Sequence, residues 1–166
     1  MSPPNTLDLI RSLLILILLY LSYIDLRSFS LPDFITLPLI LIGIVFNLLS
    51  PVGFTDAASA ITGAALGYGS LWLLNHLYRL TKKQDGIGMG DAKLLAALGA
   101  WLGWAALPSI LLIASISGLI GGLIYLRWRK KSIHHAFPFG PFLAFAGIIE
   151  LLWPQHLLAL LLSNLP

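Results

Sequence analysis

Uncharged apolar runs recur along the whole chain, each near the roughly 20 residues that a helix needs to cross a bilayer core. Residues 9–24 form a first run if Arg11 snorkels outward from it. Residues 34–49 form a second, closed by Pro51 and Gly53, and residues 57–78 a third. Residues 94–126 then pass without any charge, a stretch of 33 that is too long for one upright span and short for two. With Pro108 inside it, the pattern predicts a compact helical hairpin. It runs from Leu94 to about Trp104, turns near Ala106 to Pro108, and returns through Gly118, Gly121 and Gly122 to Leu126. A last run starts near Pro141 and reaches the C-terminus, interrupted by Glu150 and Pro154. The expected architecture is all-α: a polytopic membrane helix bundle of about six segments. There is no internal repeat or long linker, so residues 1–166 read as one domain.

Composition agrees with that reading, since 58% of the 166 residues are hydrophobic and 10% charged. Apolar runs along the full length exclude a signal peptide followed by a soluble body. Cysteine is absent, which removes disulfides, thiolate catalysis, covalent haem attachment and cysteine-based zinc sites. The formal charge of +3 is not a nucleic-acid signal, because nine of the ten Lys and Arg residues fall in three short segments between apolar runs. These hold Arg27; then Arg79, Lys82, Lys83 and Lys93; then Arg127, Arg129, Lys130 and Lys131. Six segments put all three on one side, which the positive-inside rule makes cytoplasmic, with both termini outside. The bilayer is the partner that this charge pattern requires, and no nucleic acid is expected.

Only seven carboxylates remain to carry chemistry: Asp8, Asp25, Asp33, Asp56, Asp85, Asp91 and Glu150. Asp8 and Asp56 flank spans on the outer side and Asp85 sits in a polar loop, so all three read as solvated boundary residues. Asp25 closes the first span at its cytoplasmic end, where a helix presents partial negative charge and a carboxylate is misplaced. Its plain reading is an interfacial partner of Arg27. Asp91 ends Gly88-Met89-Gly90-Asp91, and its plain reading is a helix N-cap approached by flexible glycines. The same glycines, however, let another backbone, such as an extended substrate, come close to the aspartate. Asp33, after Leu31-Pro32, reads first as a helix cap, yet spacing alone does not separate it from Asp25 as a functional acid. His134 and His135 adjoin a basic cluster, with His76 and His156 scattered, so no metal site is expected.

Asp25 and Asp91 gain weight together, because the topology puts both at one depth on one side. Two carboxylates in a partly dehydrated site repel when both are ionised, so such a pair shares one proton. The ionised member can take a proton from an attacking water while the protonated member donates to a peptide carbonyl oxygen. This chemistry needs neither metal, cofactor nor nucleophilic side chain.

The residues carrying these acids resemble the type IV prepilin peptidases, of the Gly-x-Gly-Asp class of membrane aspartyl proteases. The matching elements are Tyr23-Ile24-Asp25, then Leu31-Pro32-Asp33, then Thr36-Leu37-Pro38-Leu39. They continue with Gly88-Met89-Gly90-Asp91-Ala92-Lys93-Leu94-Leu95, then Leu98-Gly99-Ala100-Trp101-Leu102-Gly103, and finally Pro138-Phe139-Gly140-Pro141. The resemblance implies Asp25 and Asp91 as the catalytic pair, in preference to Asp33, with Gly88, Gly90, Asp33 and Lys93 as supporting motif positions. It implies a multi-pass protein of the inner (cytoplasmic) membrane. That protein would remove a short basic leader from type IV prepilins or type II secretion pseudopilins near the cytoplasmic face. Bifunctional relatives carry an N-terminal methyltransferase domain, usually with paired Cys-x-x-Cys motifs; its absence before the first span leads us to expect peptidase activity alone.

Other classes fit less of the sequence. An ion or solute transporter component would use intramembrane carboxylates, and Glu150, about ten residues into the last segment, is its best argument. Trp153-Pro154 instead suggests that the span ends there, with Glu150 near the outer interface. The transporter reading also leaves the glycine and Leu-Pro-Asp motifs unused. A presenilin-like protease would share looser forms of both aspartate motifs, but the Pro-Ala-Leu element of that group is absent. A catalytically dead scaffold would not need both aspartates.

Overall fold

The computed structural model describes residues 6–82, 88–129 and 138–154. They form six α-helices and no strand: α1 (Thr6–Ser28), α2 (Asp33–Leu49), α3 (Ala57–Lys82), α4 (Met89–Leu102), α5 (Leu107–Arg129) and α6 (Gly140–Leu152). A short 3₁₀ turn, Trp104–Ala106, joins α4 to α5. The all-α expectation holds. Asp85, Lys83, Lys131, His134, His135, His156 and the C-terminal segment lie outside the described residues.

The bundle is apolar on its outside. Leu13, Leu16, Leu41, Leu66, Leu119 and Leu123 are exposed on helix faces, while Asp25, Thr36, Asn47, Asn75, Ser109 and Glu150 are buried. Large exposed leucines on successive helices suit a lipid environment rather than water. Thr6–Ser28, Ala57–Lys82 and Trp104–Ile124 are long and apolar enough to cross a membrane, and Asp33–Leu49 and Gly140–Leu152 are shorter apolar helices. The chain is a multi-pass helical membrane protein.

At the centre lies α4, buried continuously from Leu94 to Trp101 and packed against α2, α3 and α6. A helix apolar all round is stable only when enclosed in this way. Small residues allow the closest approach. A Cβ at Gly63 of α3 would overlap the Gly99 carbonyl of α4, and one at Gly67 would lie 2.6 Å from the Leu95 carbonyl oxygen. At its C-terminal end, α4 leaves carbonyls that the helix cannot pair and the membrane cannot solvate. The buried Asn47 of α2 answers them: its Nδ2 donates to Ala100 O at 2.9 Å and Trp101 O at 3.0 Å. Trp101 Nε1 donates back to Leu39 O at 2.9 Å.

The predicted hairpin is corrected in two respects. The chain turns at Gly103, whose φ of +85° favours glycine, and Pro108 belongs to the first turn of α5. Moreover, α5 packs on α6 and scarcely touches α4. The reason lies in its small residues: Cβ atoms at Gly118 and Gly121 would meet Phe139 and Phe142, so the glycine face of α5 receives α6.

Candidate active site

The last turn of α1 and the first turn of α4 border one cleft at one end of the bundle. Asp25 is buried on α1, on the same face as Leu14, Leu18 and Leu21. Asp91, partly buried, is the third residue of α4. Both line one cleft of about 310 Å³, whose walls include Phe29, Leu31 and Met89. The cleft therefore brings together two carboxylates, one from α1 and one from α4, with Asp33 and Lys93 also in its lining.

The plain readings of the acids do not survive in their original form. Asp25 does not pair with Arg27, whose guanidinium lies 5.1 Å from the centre of the Tyr23 ring. Its Oδ2 instead accepts a hydrogen bond from the Gly140 backbone N–H at 3.1 Å. Asp91 is not the N-cap of α4, because Gly88 takes that position, and Asp33 is not the cap of α2, because Pro32 does. Asp33 forms an ion pair with Lys93, tying the start of α2 to the first turn of α4 across the cleft mouth. Asp33 thus lines the same cleft with its carboxylate engaged by Lys93, whereas Asp25 has no basic partner among the described residues.

The two glycines before Asp91 serve different ends. Gly88 is exposed in an extended conformation (φ −66°, ψ 133°), and a Cβ there would meet only Asp91 Oδ2, at an ordinary 3.6 Å. Gly90 is helical, and a Cβ would lie 3.0 Å from Leu31 Cβ and 3.3 Å from Leu31 N. The room at Gly90 is thus filled by the Leu-Pro-Asp loop rather than kept open for another backbone, and neither glycine has a positive φ. Phe29 does, at φ +52°, where it ends α1 in a left-handed conformation against the cleft. Sequence reasoning passed over Phe29 and the Gly140 contact. Pro141 at the start of a helix was the available signal for the latter.

The remaining acids sit apart. Glu150 is buried near the far end of α6, about 15 Å along the helix from Gly140. Ser109 Oγ donates to its Oε2 at 2.7 Å, and a small cavity of about 120 Å³ beside it is lined by Phe54, Thr55 and Pro154. These are helix-end residues, so Glu150 lies enclosed near the end of the bundle opposite the two-aspartate cleft. Asp56 caps α3, its Oδ1 accepting from Ser59 N–H at 2.9 Å, and the Ser59 hydroxyl and N–H hold its carboxyl below the ordinary value. Asp8 pairs with Arg11 at 3.6 Å. His76 stacks on Trp72 along α3.

Residues 12–123 match the model of the type IV leader peptidase family. The chain is 45% identical over 152 residues to a prepilin leader peptidase/N-methyltransferase of Aeromonas hydrophila, covering 92% of this chain and 52% of the relative. Proteins of the same name from Legionella pneumophila and Dickeya chrysanthemi are 45% and 47% identical over 154 and 131 residues. These matches cover 92% and 79% of this chain, and 53% and 46% of the relatives. The chain thus spans about half the length of these relatives. No solved structure matches it.

Proposed function

The chain belongs to the type IV leader peptidase family, and on that premise we propose that it is a membrane aspartyl endopeptidase with Asp25 and Asp91 as its catalytic pair. Its substrates are type IV prepilins or type II secretion pseudopilins, from which it removes the short basic leader at the cytoplasmic face of the inner membrane. The observation that carries this reading is the single cleft lined by both aspartates. The side is supported by Arg27, Arg79, Lys82 and Lys93, which flank the same ends of α1, α3 and α4.

One carboxylate takes a proton from water as the oxygen attacks the scissile carbonyl; its protonated partner donates to the carbonyl oxygen. Collapse of the tetrahedral intermediate passes a proton to the leaving amine and restores the pair. Lys93 holds Asp33 away from this exchange, and Phe29, Leu31 and Met89 line the cleft beside the pair.

Leader removal from a purified prepilin, in detergent or liposomes with chelator present, tests the assignment. Asp25→Asn and Asp91→Asn should each insert normally and lose about 10²–10⁴-fold or more of turnover, while the double variant is little worse than either single one. Glu150→Gln should retain measurable cleavage. Wild-type activity should fall on both sides of an optimum, because protonating both acids removes the base and ionising both removes the acid. Robust cleavage by Asp25→Asn would show the pair to be misassigned, and chelator-sensitive cleavage by the wild type would rule out the aspartyl mechanism.

A further inference from the structure

The Pro138-Phe139-Gly140-Pro141 segment plays no part in the mechanism above, yet it delivers the start of α6 to Asp25. A helix leaves its first N–H groups without intrahelical acceptors. In α6, Pro141 has no N–H, and those of Phe142 and Leu143 both return to the Phe139 carbonyl, at 3.0 and 3.2 Å. The Gly140 N–H is the donor left over, and it reaches Asp25 Oδ2 at 3.1 Å. A Cβ at position 140 would lie 2.6 Å from that oxygen and 3.0 Å from Asp25 Cγ, so only glycine permits this approach. Phe142 anchors the turn, its ring filling the space beside Gly121 of α5. Among the described residues, no group donates a hydrogen bond to the Asp91 carboxylate.

Building on the peptidase reading, we propose that Gly140 is a positioning residue of the pair: its N–H holds Asp25 as the ionised base, and Asp91 carries the shared proton. A backbone donor at the N-terminal end of a helix favours the charged form of its acceptor. Gly140 is not among the residues that line the cleft, and its N–H engages Oδ2, so Oδ1 is the Asp25 oxygen without a hydrogen bond among the described residues. During attack, Asp25 Oδ1 takes the water proton as the new C–O bond forms, and Asp91 gives its proton to the carbonyl oxygen. As the C–N bond breaks, the proton on Asp25 passes to the amine and Asp91 recovers one from the hydroxyl that becomes the new carbonyl. The charged groups facing Asp25 are Asp91 and Lys93 on α4 and Asp33 at the start of α2; Arg27 is on its own helix, and the first turn of α6 has none.

The test compares Gly140→Ala with Gly147→Ala on the same helix, whose Cβ would press on the Leu98 side chain far from the pair. Gly140→Ala should lower kcat by about 10²-fold at unchanged KM. It should also move the acidic limb of the pH–rate profile upward by about one unit, as one donor to the ionised base is lost. Gly147→Ala should reduce thermal stability and leave the limb where it is. A Gly140→Ala profile superimposing on the wild type, or the same shift in Gly147→Ala, overturns the proposal. If Gly140→Ala fails to accumulate, Asp25→Ala/Gly140→Ala removes the atoms it strikes; recovered accumulation supports the contact, and continued loss refutes it. Asp25→Asn assayed in parallel separates the two readings. If Asp25→Asn is active, the peptidase assignment falls; if it is inactive while Gly140→Ala behaves as wild type, only the role of Gly140 falls.

Discussion

Adding one methyl group at Gly90 should damage catalysis through packing rather than through loss of substrate space. The new Cβ would stand 3.0 Å from Leu31 Cβ and 3.3 Å from Leu31 N, against the 3.5–4.0 Å optimum between carbon atoms. Neither neighbour is the free end of a side chain, so the loop or the first turn of α4 must move by about 0.5 Å. Overpacking of this kind costs about 1–3 kcal/mol, offset by up to about 1 kcal/mol from the better helix propensity of alanine. A net loss of about 0–2 kcal/mol leaves the protein folded. The loop that moves, however, joins Asp25 to Asp33, and the turn that moves carries Asp91. Misplacement by about 1 Å can cost about 10²-fold, so about half that shift should lower kcat by roughly 10-fold with KM little changed. Leu31→Ala should not rescue Gly90→Ala, because alanine keeps the Cβ that is struck. Gly88→Ala is the contrast, since φ −66° and ψ 133° suit alanine and the nearest atom is 3.6 Å away. It should be as stable as the wild type and affect KM alone. Leader cleavage kinetics and thermal melts of the purified variants decide the matter: wild-type kcat together with a wild-type melting temperature for Gly90→Ala would refute the packing argument.

Two further outcomes follow from contacts away from the pair. Asn47→Ala strips partners from the Ala100 and Trp101 carbonyls and from Thr55 N–H, all served by one buried side chain. Orphaned buried groups cost about 1–3 kcal/mol each, so thermal melts should show a loss of at least about 2 kcal/mol while kcat of the folded fraction is unchanged; a melt like that of the wild type would deny the capping role. Asp33→Asn breaks an ion pair whose Asp33 side chain is 59% exposed, so stability should fall by less than about 1 kcal/mol and cleavage should remain measurable. Complete loss of activity on this change would place Asp33 inside the chemistry.

Helix number and the alignment of Asp25 with Asp91 were legible because both follow from apolar run lengths and charge placement, which act locally. Side-chain partners were not. The ion pair of Asp33 and Lys93 joins residues 60 positions apart, and the Asp25 contact with Gly140 joins residues 115 apart. No periodicity encodes such meetings; they depend on how the helices assemble. The packing expected between the two helices of the hairpin failed for the same reason, since glycines on α5 advertise a close approach but not the helix that makes it.

What sets that assembly is the central helix. With 14 residues, α4 spans about 21 Å, less than the roughly 30 Å of a hydrocarbon core. It can be this short because α2, α3 and α6 enclose its middle, buried from Leu94 to Trp101. Its C-terminal carbonyls are answered by Asn47, and its first turn carries Asp91. A full-length span would carry that first turn out to the membrane surface, where water would separate the two charges. Recessed inside the bundle, Asp91 sits level with the last buried turn of α1 and with the first N–H of α6. The shortness of α4 is therefore what brings two carboxylates and a backbone donor to one depth, at the end of the bundle where Arg27, Lys82 and Lys93 also stand.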